Sequence, residues 1–344
     1  MTNQSPILAP LRTLRDSNRT KLVLFTLDNL IWPILLVAFL FFSALLPEIF
    51  TQYRNIRFLL YTSAGLGAIT LAESICLISG NFDLSVGSVA GFSAMAGALF
   101  LTEWAPGAPG VIGILVLLCV GGAIGLLNGV LIAKMGVNPF LQTLSTLIIF
   151  EGGILVLSSQ SVYGLPVSYL WPGEAVISIP VINPIPVAIF IMCGLFVGLW
   201  FVLSRTRFGR AVYAVGGNEA SAAEAGIDTD RVIIAVYVIS GVLAATGGLL
   251  LTGFNGGATP TTGTSQLFPA FTAAVIGGIS LFGGRGNVIN TLGGVLLLGT
   301  ISAGLVMLNI DPTVIQTVNG IVLLAAILLY TVVHQYRERL LSDL

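Results

Sequence analysis

Three carboxylates, Glu73, Asp83 and Glu151, stand within or at the edge of long apolar runs. In lipid such groups are costly, at about 2.5–3.5 kcal/mol for an Asp at a helix centre on insertion scales. Glu73, in mid-run, has two readings: an acid lining a hydrated path, accepting hydroxyl hydrogens or steadying a gate, or a carboxyl buried in the protein interior and bonded to Ser or Thr. The residue types leave both open. Asp83 precedes Leu84-Ser85-Val86-Gly87-Ser88 and reads first as a cap for the orphan amides of a helix start. Ser85 and Ser88 at that start are also compatible with a water-filled path. Asn128, Gln142 and Thr143 are polar groups inside apolar runs. Interhelical hydrogen bonds account for them, and a solute path is the alternative.

No other constellation points to chemistry. There is no Walker-type phosphate loop, no nucleophile–base pair and no cluster with metal-ligand spacing. Cys76, Cys119 and Cys193 all fall in apolar runs and read as small hydrophobes, and His334 has no partner pattern. Neither catalytic residues nor a metal nor a bound cofactor is expected. A net charge of −1 offers no basic surface for nucleic acid.

The elements that must hold these groups are membrane helices. Of 344 residues, 56% are hydrophobic and 8% charged, against roughly 25% charged in soluble domains. Runs of about 20 apolar residues are needed to cross a bilayer. They occur at 29–47, 58–79, 84–102, 111–133, 140–158, 185–203, 232–253, 267–284, 288–308 and 312–333. The eighth, with Pro269 and Gly277-Gly278, is the weakest and can be a broken or re-entrant helix. Ten crossings place Arg12, Arg15, Arg19, Lys21, Lys134, Arg205, Arg207, Arg210, Arg231, Arg285, Arg337 and Arg339 on one side, and only Arg54 and Arg57 on the other. That asymmetry assigns the first side to the cytoplasm. The expected organisation is a cytoplasmic segment 1–28, one transmembrane unit 29–333 and a cytoplasmic tail 334–344. In all it is an all-α integral membrane protein of about ten helices with both termini inside. Glycine pairs four apart, such as Gly121, Gly125 and Gly129, predict close helix packing. The outer segment 159–184 carries Tyr163, Tyr169 and Trp171, expected at the membrane interface. The outer segment 255–266, rich in Gly and Thr, reads first as an ordinary connecting loop, the alternative being a cover for the external mouth or a contact for an external partner.

The inner loop 204–231 is the most informative stretch. Gly216-Gly217 lead to Asn218, which can cap a helix, and Glu219 sits where the helix dipole favours an anion. Ala220, Ala222, Ala223 and Ala225 are strong helix formers, and Gly226 before Ile227 can end the helix. Such small side chains leave a low surface that another protein can grip.

Four stretches now resemble one family: Asp83-Leu84-Ser85-Val86-Gly87-Ser88; Asn128-Gly129 through Pro139-Phe140-Leu141-Gln142-Thr143-Leu144; Arg207-Phe208-Gly209-Arg210 through Gly217-Asn218-Glu219-Ala220 to Gly226-Ile227; and Gly277-Gly278 through Gly283-Gly284-Arg285-Gly286. In order and spacing they are similar to the inner-membrane permeases of ABC monosaccharide importers, the ribose-type branch. The resemblance implies a type II-like permease fold in the cytoplasmic (inner) membrane, with ATP bound by a partner rather than by this chain. The implied partners are a cytoplasmic ATPase with two nucleotide-binding halves or a dimer, a second permease copy, an external sugar-binding protein and a small sugar. It implies that the segment Gly216–Ile227 docks on the ATPase, with Asn218, Glu219, Ala222, Ala223, Ala225 and Gly226 at the joint. Phe82 stands where relatives have an aliphatic residue, and Glu151 where many have arginine, so the resemblance does not fix the sugar. A nucleoside or branched-chain amino-acid permease shares parts of the pattern. A self-sufficient ion-coupled transporter is the rival class, with no need of loop 204–231. Asn138-Pro139…Gln142-Thr143 also echoes Asp311-Pro312…Gln316-Thr317, as inverted repeats would.

Overall fold

The computed structural model describes residues 26, 29–179 and 182–342. Apart from Thr26, the segment 1–28 and its four cations lie outside the described residues. The long helices are α1 (Ile31–Leu45), α2 (Tyr53–Ile78), α3 (Val86–Leu99, extended by a π-turn over Phe100–Trp104), α4 (Gly110–Met135) and α5 (Pro139–Leu157). A short α6 (Val167–Glu174) and an antiparallel hairpin of β1 (Val176–Ile179) and β2 (Ile182–Pro186) precede α7 (Val187–Arg205). Then come α8 (Arg207–Gly217), α9 (Glu219–Glu224), α10 (Thr229–Asn255), a 3-10 turn at Thr264–Gln266, α11 (Leu267–Ile276), α12 (Val288–Met307) and α13 (Pro312–Ser342). Among the described residues eight helices are long and apolar enough to cross a membrane, and two shorter apolar helices, α1 and Thr264–Ile276, occupy the first and eighth runs.

α2 and α10 form the centre of the bundle, and α5 and α13 are its most exposed members. α4 lies against α10 because small residues let the backbones meet: a Cβ on Gly121 would overlap the Gly241 carbonyl, and one on Gly125 the Tyr237 carbonyl. Gly129 completes the seam, 2.8 Å from Ile234 Cα by the same construction.

Two expectations need correction. The eighth run is not helical to residue 284. α11 ends at Ile276, and Gly278 takes φ +85 while the Gly278 and Ile279 amides bond back to Val275 and Ala274 at 2.9 and 3.1 Å, a left-handed stop that side chains resist. Its start is displaced as well. The segment after α10 descends beside α3, where a Cβ on Gly87 would lie 2.8 Å from the Gly263 carbonyl oxygen. So 255–266 is no surface connection but a re-entrant stretch leading into a half-length helix. Irregular backbone of this kind persists only where protein or water covers it. Second, Tyr169 is fully buried and not interfacial, unlike Tyr163 and Trp171, which are exposed. Its hydroxyl donates to the Ala94 carbonyl at 3.3 Å, in room left by Gly97 and Gly113. The last helix, α13, runs on into the expected tail as far as Ser342.

Candidate functional site

Polar side chains from four elements meet in the bundle. Ser240 on α10 donates to Asp83 Oδ2 at 2.9 Å, and the Ser85 amide and hydroxyl both donate to Asp83 Oδ1, the amide at 3.0 Å. Asn128 on α4 donates to Ser85 Oγ at 3.1 Å. Its Oδ1 in turn accepts Thr146 Oγ1 at 2.6 Å and Gln142 Nε2 at 3.2 Å, both from α5. The chain Ser240–Asp83–Ser85–Asn128–Thr146/Gln142 thus ties α10, the turn before α3, α4 and α5 together, and all but Gln142 are buried. Each bond contributes only about 1 kcal/mol net, but an orphaned partner in such a network costs about 1–3 kcal/mol. Asp83 does bind a helix-start amide, yet from two residues before the cap position, which Ser85 occupies.

The other singled-out groups do not join this network. Ser88 donates to the Ser85 carbonyl at 2.9 Å and Thr143 to the Pro139 carbonyl at 2.8 Å, both within their own helical turns. Glu151 is half-buried on α5. Glu73 is fully buried beside Asp83. Neither of its carboxyl oxygens makes a hydrogen bond of ordinary geometry, although the Asp83 amide approaches it. Thr146 and Ser240 are the network members that sequence reading missed. Thr146 lies one turn beyond Gln142, a spacing that held the signal; Ser240 sits on a remote helix with none.

The loop 204–231 folds as two helices rather than one. Thr206 caps α8 through the Gly209 amide at 3.0 Å, and Val212 and Val215 bury its inner face beside the half-buried Phe208. Gly216 and Gly217 therefore close α8 and do not lead α9. Asn218 joins the two: its side chain accepts the Ser221 amide at 2.8 Å. Ala222 anchors α9 and is buried, whereas Glu219, Ala223 and Ala225 face outward with Gly217, Asn218 and Gly226. Gly226 takes φ +85, and the Gly226 and Ile227 amides return to Ala223 and Ala222 at 2.9 and 3.0 Å. That left-handed ending is the one glycine accepts without strain. Ile227 tucks back against the core.

Gly216 links this helix pair to the bundle. A Cβ there would overlap the Ile78 carbonyl oxygen at the end of α2 and stand 2.7 Å from the Gly284 amide nitrogen. Gly284 donates to the same Ile78 carbonyl at 2.9 Å, and Tyr213 of α8 donates to the Gly286 carbonyl at 2.9 Å. Burial holds the Tyr213 phenol above the ordinary tyrosine range, so it remains a donor at neutral pH. The ends of α2, α8 and the 277–287 loop are thereby locked at the end rich in Lys and Arg.

A recess of about 700 Å³ opens elsewhere, between α2, α11, α12 and α13. Thr62, Ser265, Gln266, Ser302, Gln316 and Asn319 supply its polar groups. Sequence reading named none of them as site residues. The one available signal was the echo of Asn138-Pro139…Gln142 in Asp311-Pro312…Gln316. Asn138 and Asp311 each cap a helix, accepting the Phe140 and Thr313 amides at 3.0 and 2.8 Å, and each helix carries a glutamine one turn on. Among the described residues no group of three or more His, Cys, Asp or Glu could hold a metal.

Residues 55–329 match the family described as branched-chain amino acid transport system, permease component. The D-allose transport system permease protein AlsC of Escherichia coli (strain K12) is 37% identical over 299 residues, covering 86% of this chain and 89% of the relative. The ribose import permease protein RbsC of Bacillus subtilis (strain 168) is 37% identical over 296 residues, 86% and 90% of the two chains. The fructose import permease protein FrcC of Rhizobium meliloti is 30% identical over 306 residues, 86% and 82%. No solved structure matches. A multi-pass helical bundle with that match over most of its length belongs to the branched-chain amino acid transport system permease-component family.

Proposed function

We propose that this chain is the permease subunit of an ABC importer, forming the membrane path for a monosaccharide of the ribose, allose or fructose type. Support comes from the relatives, which are named for import of such sugars and, at 32% identity, of autoinducer 2. The observation that carries the reading is α9. It is a six-residue helix capped at both ends, exposed on its outer side, and clasped to α2 through Gly216. An isolated helix of that length is unstable in water. Its two caps and its small-residue surface fit a part that is gripped by another protein.

In this mechanism an external binding protein delivers the sugar, and a separate cytoplasmic ATPase, with two nucleotide-binding halves or as a dimer, grips α9. Closure of the ATPase pushes α9, and the clasp passes the push to α2 and to the 277–287 loop between α11 and α12. A second permease copy completes the path. This chain supplies positioning and passage and no catalytic group.

The test is co-purification with the ATPase and sugar uptake into proteoliposomes carrying ATPase and binding protein. Retained insertion with lost ATPase binding in Glu219→Arg/Gly226→Val is the expected result. Uptake driven by a proton or sodium gradient through the lone chain would sink the reading in favour of a secondary transporter.

A further inference from the structure

We propose that the recess between α2, α11, α12 and α13 is a transit subsite for neutral polyhydroxylated solutes, one that passes a monosaccharide and rejects amino acids and anions. The proposal rests on the importer reading above. Its volume of about 700 Å³ lies within the range of about 300–1,000 Å³ typical of small-molecule pockets. The chemistry of its wall is selective. Hydroxyl and amide groups are set into a largely apolar wall, and among the described residues no Asp, Glu, Lys, Arg or His lines it. A neighbouring recess of about 320 Å³ shares Thr62, Ser265 and Gln266, adds Thr259, Thr261 and Thr262, and among the described residues is equally without ionisable groups. The two form a hydroxyl-rich route along the re-entrant stretch and down to the start of α11.

A carboxylate entering this route would leave water and meet no cation, which is costly. The α11 start offers only the partial charge of its free amides, and Pro269 removes one of them. Sugar hydroxyls both donate and accept, as do the amides of Gln266, Gln316 and Asn319. Asn319 Oδ1 is shielded from solvent and has no hydrogen-bond partner; turning this amide toward the recess would let a sugar hydroxyl supply the missing donor. Phe268, exposed on the wall, offers an apolar face to the C–H side of a sugar ring.

Gly320 makes the idea testable without disturbing the packing. It lines the recess, and a Cβ built on it meets nothing within 4 Å. The full transporter, reconstituted with its ATPase and binding protein, is assayed for uptake of D-ribose, D-allose and D-fructose. Gly320→Leu and Asn319→Leu are expected to lower uptake of the carried sugar about tenfold while ATP hydrolysis persists. Gly198→Leu on α7, where a Cβ also meets nothing, leaves uptake unchanged. In a chain with Cys119→Ser and Cys193→Ser, Ser302→Cys is expected to react with a water-soluble methanethiosulfonate, more slowly with the carried sugar present and at the same rate with L-leucine. Full uptake by both recess variants overturns the subsite and leaves the importer reading standing, as does an unreactive Ser302→Cys or equal protection by leucine. Absence of uptake of all three sugars by the wild-type complex would instead count against the importer reading, and labelling in the presence of each sugar would still decide the recess.

Discussion

Gly216 is pressed so closely against Ile78 that any side chain at 216 would overlap the Ile78 carbonyl oxygen, which already accepts the Gly284 amide at 2.9 Å. The consequence is a steric prediction. Gly216→Ala forces backbone shifts costing about 1–3 kcal/mol, lowers the melting temperature in detergent and loosens the clasp, so uptake falls further than ATPase binding. Gly198→Ala, on α7 away from the clasp, meets nothing within 4 Å and serves as the neutral control. Equal behaviour of the two variants would show that the clasp has no mechanical role.

Asn218 and Gly226 hold α9 at its two ends. Asn218→Ala removes the acceptor of the Ser221 amide and should destabilise α9 by about 1 kcal/mol. Gly226→Ala places a Cβ at φ +85 and should cost about 1–2 kcal/mol. Affinity for the ATPase, measured by titration of purified components, is expected to drop about fivefold or more in each. Asn218→Asp keeps the acceptor and retains binding. Wild-type affinity in Asn218→Ala would show that the cap is irrelevant to docking.

Asn128 is the hinge of the buried polar chain. Asn128→Leu removes one hydrogen bond each from Ser85, Gln142 and Thr146, which keep only their bonds to Asp83, to Thr146 and to the Gln142 carbonyl, at about 1 kcal/mol net per lost bond. Ser85→Ala alone should cost less, and the double variant should be non-additive by at least about 0.5 kcal/mol. Thermal melts of the four proteins close the cycle. Strict additivity would mean that the bonds are not formed in the membrane.

Glu73 makes the opposite forecast. A buried carboxyl without a well-formed hydrogen bond stabilises nothing, so Glu73→Gln should leave the melting temperature unchanged or raise it, by up to about 1 kcal/mol in stability. A fall of several degrees would reveal a partner that holds the carboxyl. Uptake by the same variant separates the two sequence readings of this residue: loss of transport with intact stability marks a group on the path.

The spans were legible because lipid leaves few choices. Every backbone group must be bonded within its own segment, so about 20 apolar residues in a row announce a helix. The cap at Asn218 was legible too, since its bond to the Ser221 amide is a local contact. α8 was readable in principle from Phe208, Val212 and Val215, whose spacing marks one helical face. In the eighth run Pro269 and Gly277-Gly278 marked a broken helix, but hydropathy does not register backbone handedness, so the stop at Gly278, set by its φ, could not be placed to the residue.

By itself, then, the amino-acid sequence determined the membrane location, the placement of nearly all spans, the basic end and the capped short helix α9, because each depends on neighbours within a few residues. Only the tertiary structure decided that Ser240 meets Asp83, that Asn128 meets Thr146, that Tyr169 is buried and that α13 shares a neutral recess with the start of α11. Those pairings join residues on different helices. They are set by which small residues let two helices touch, and a one-dimensional pattern carries no record of that choice.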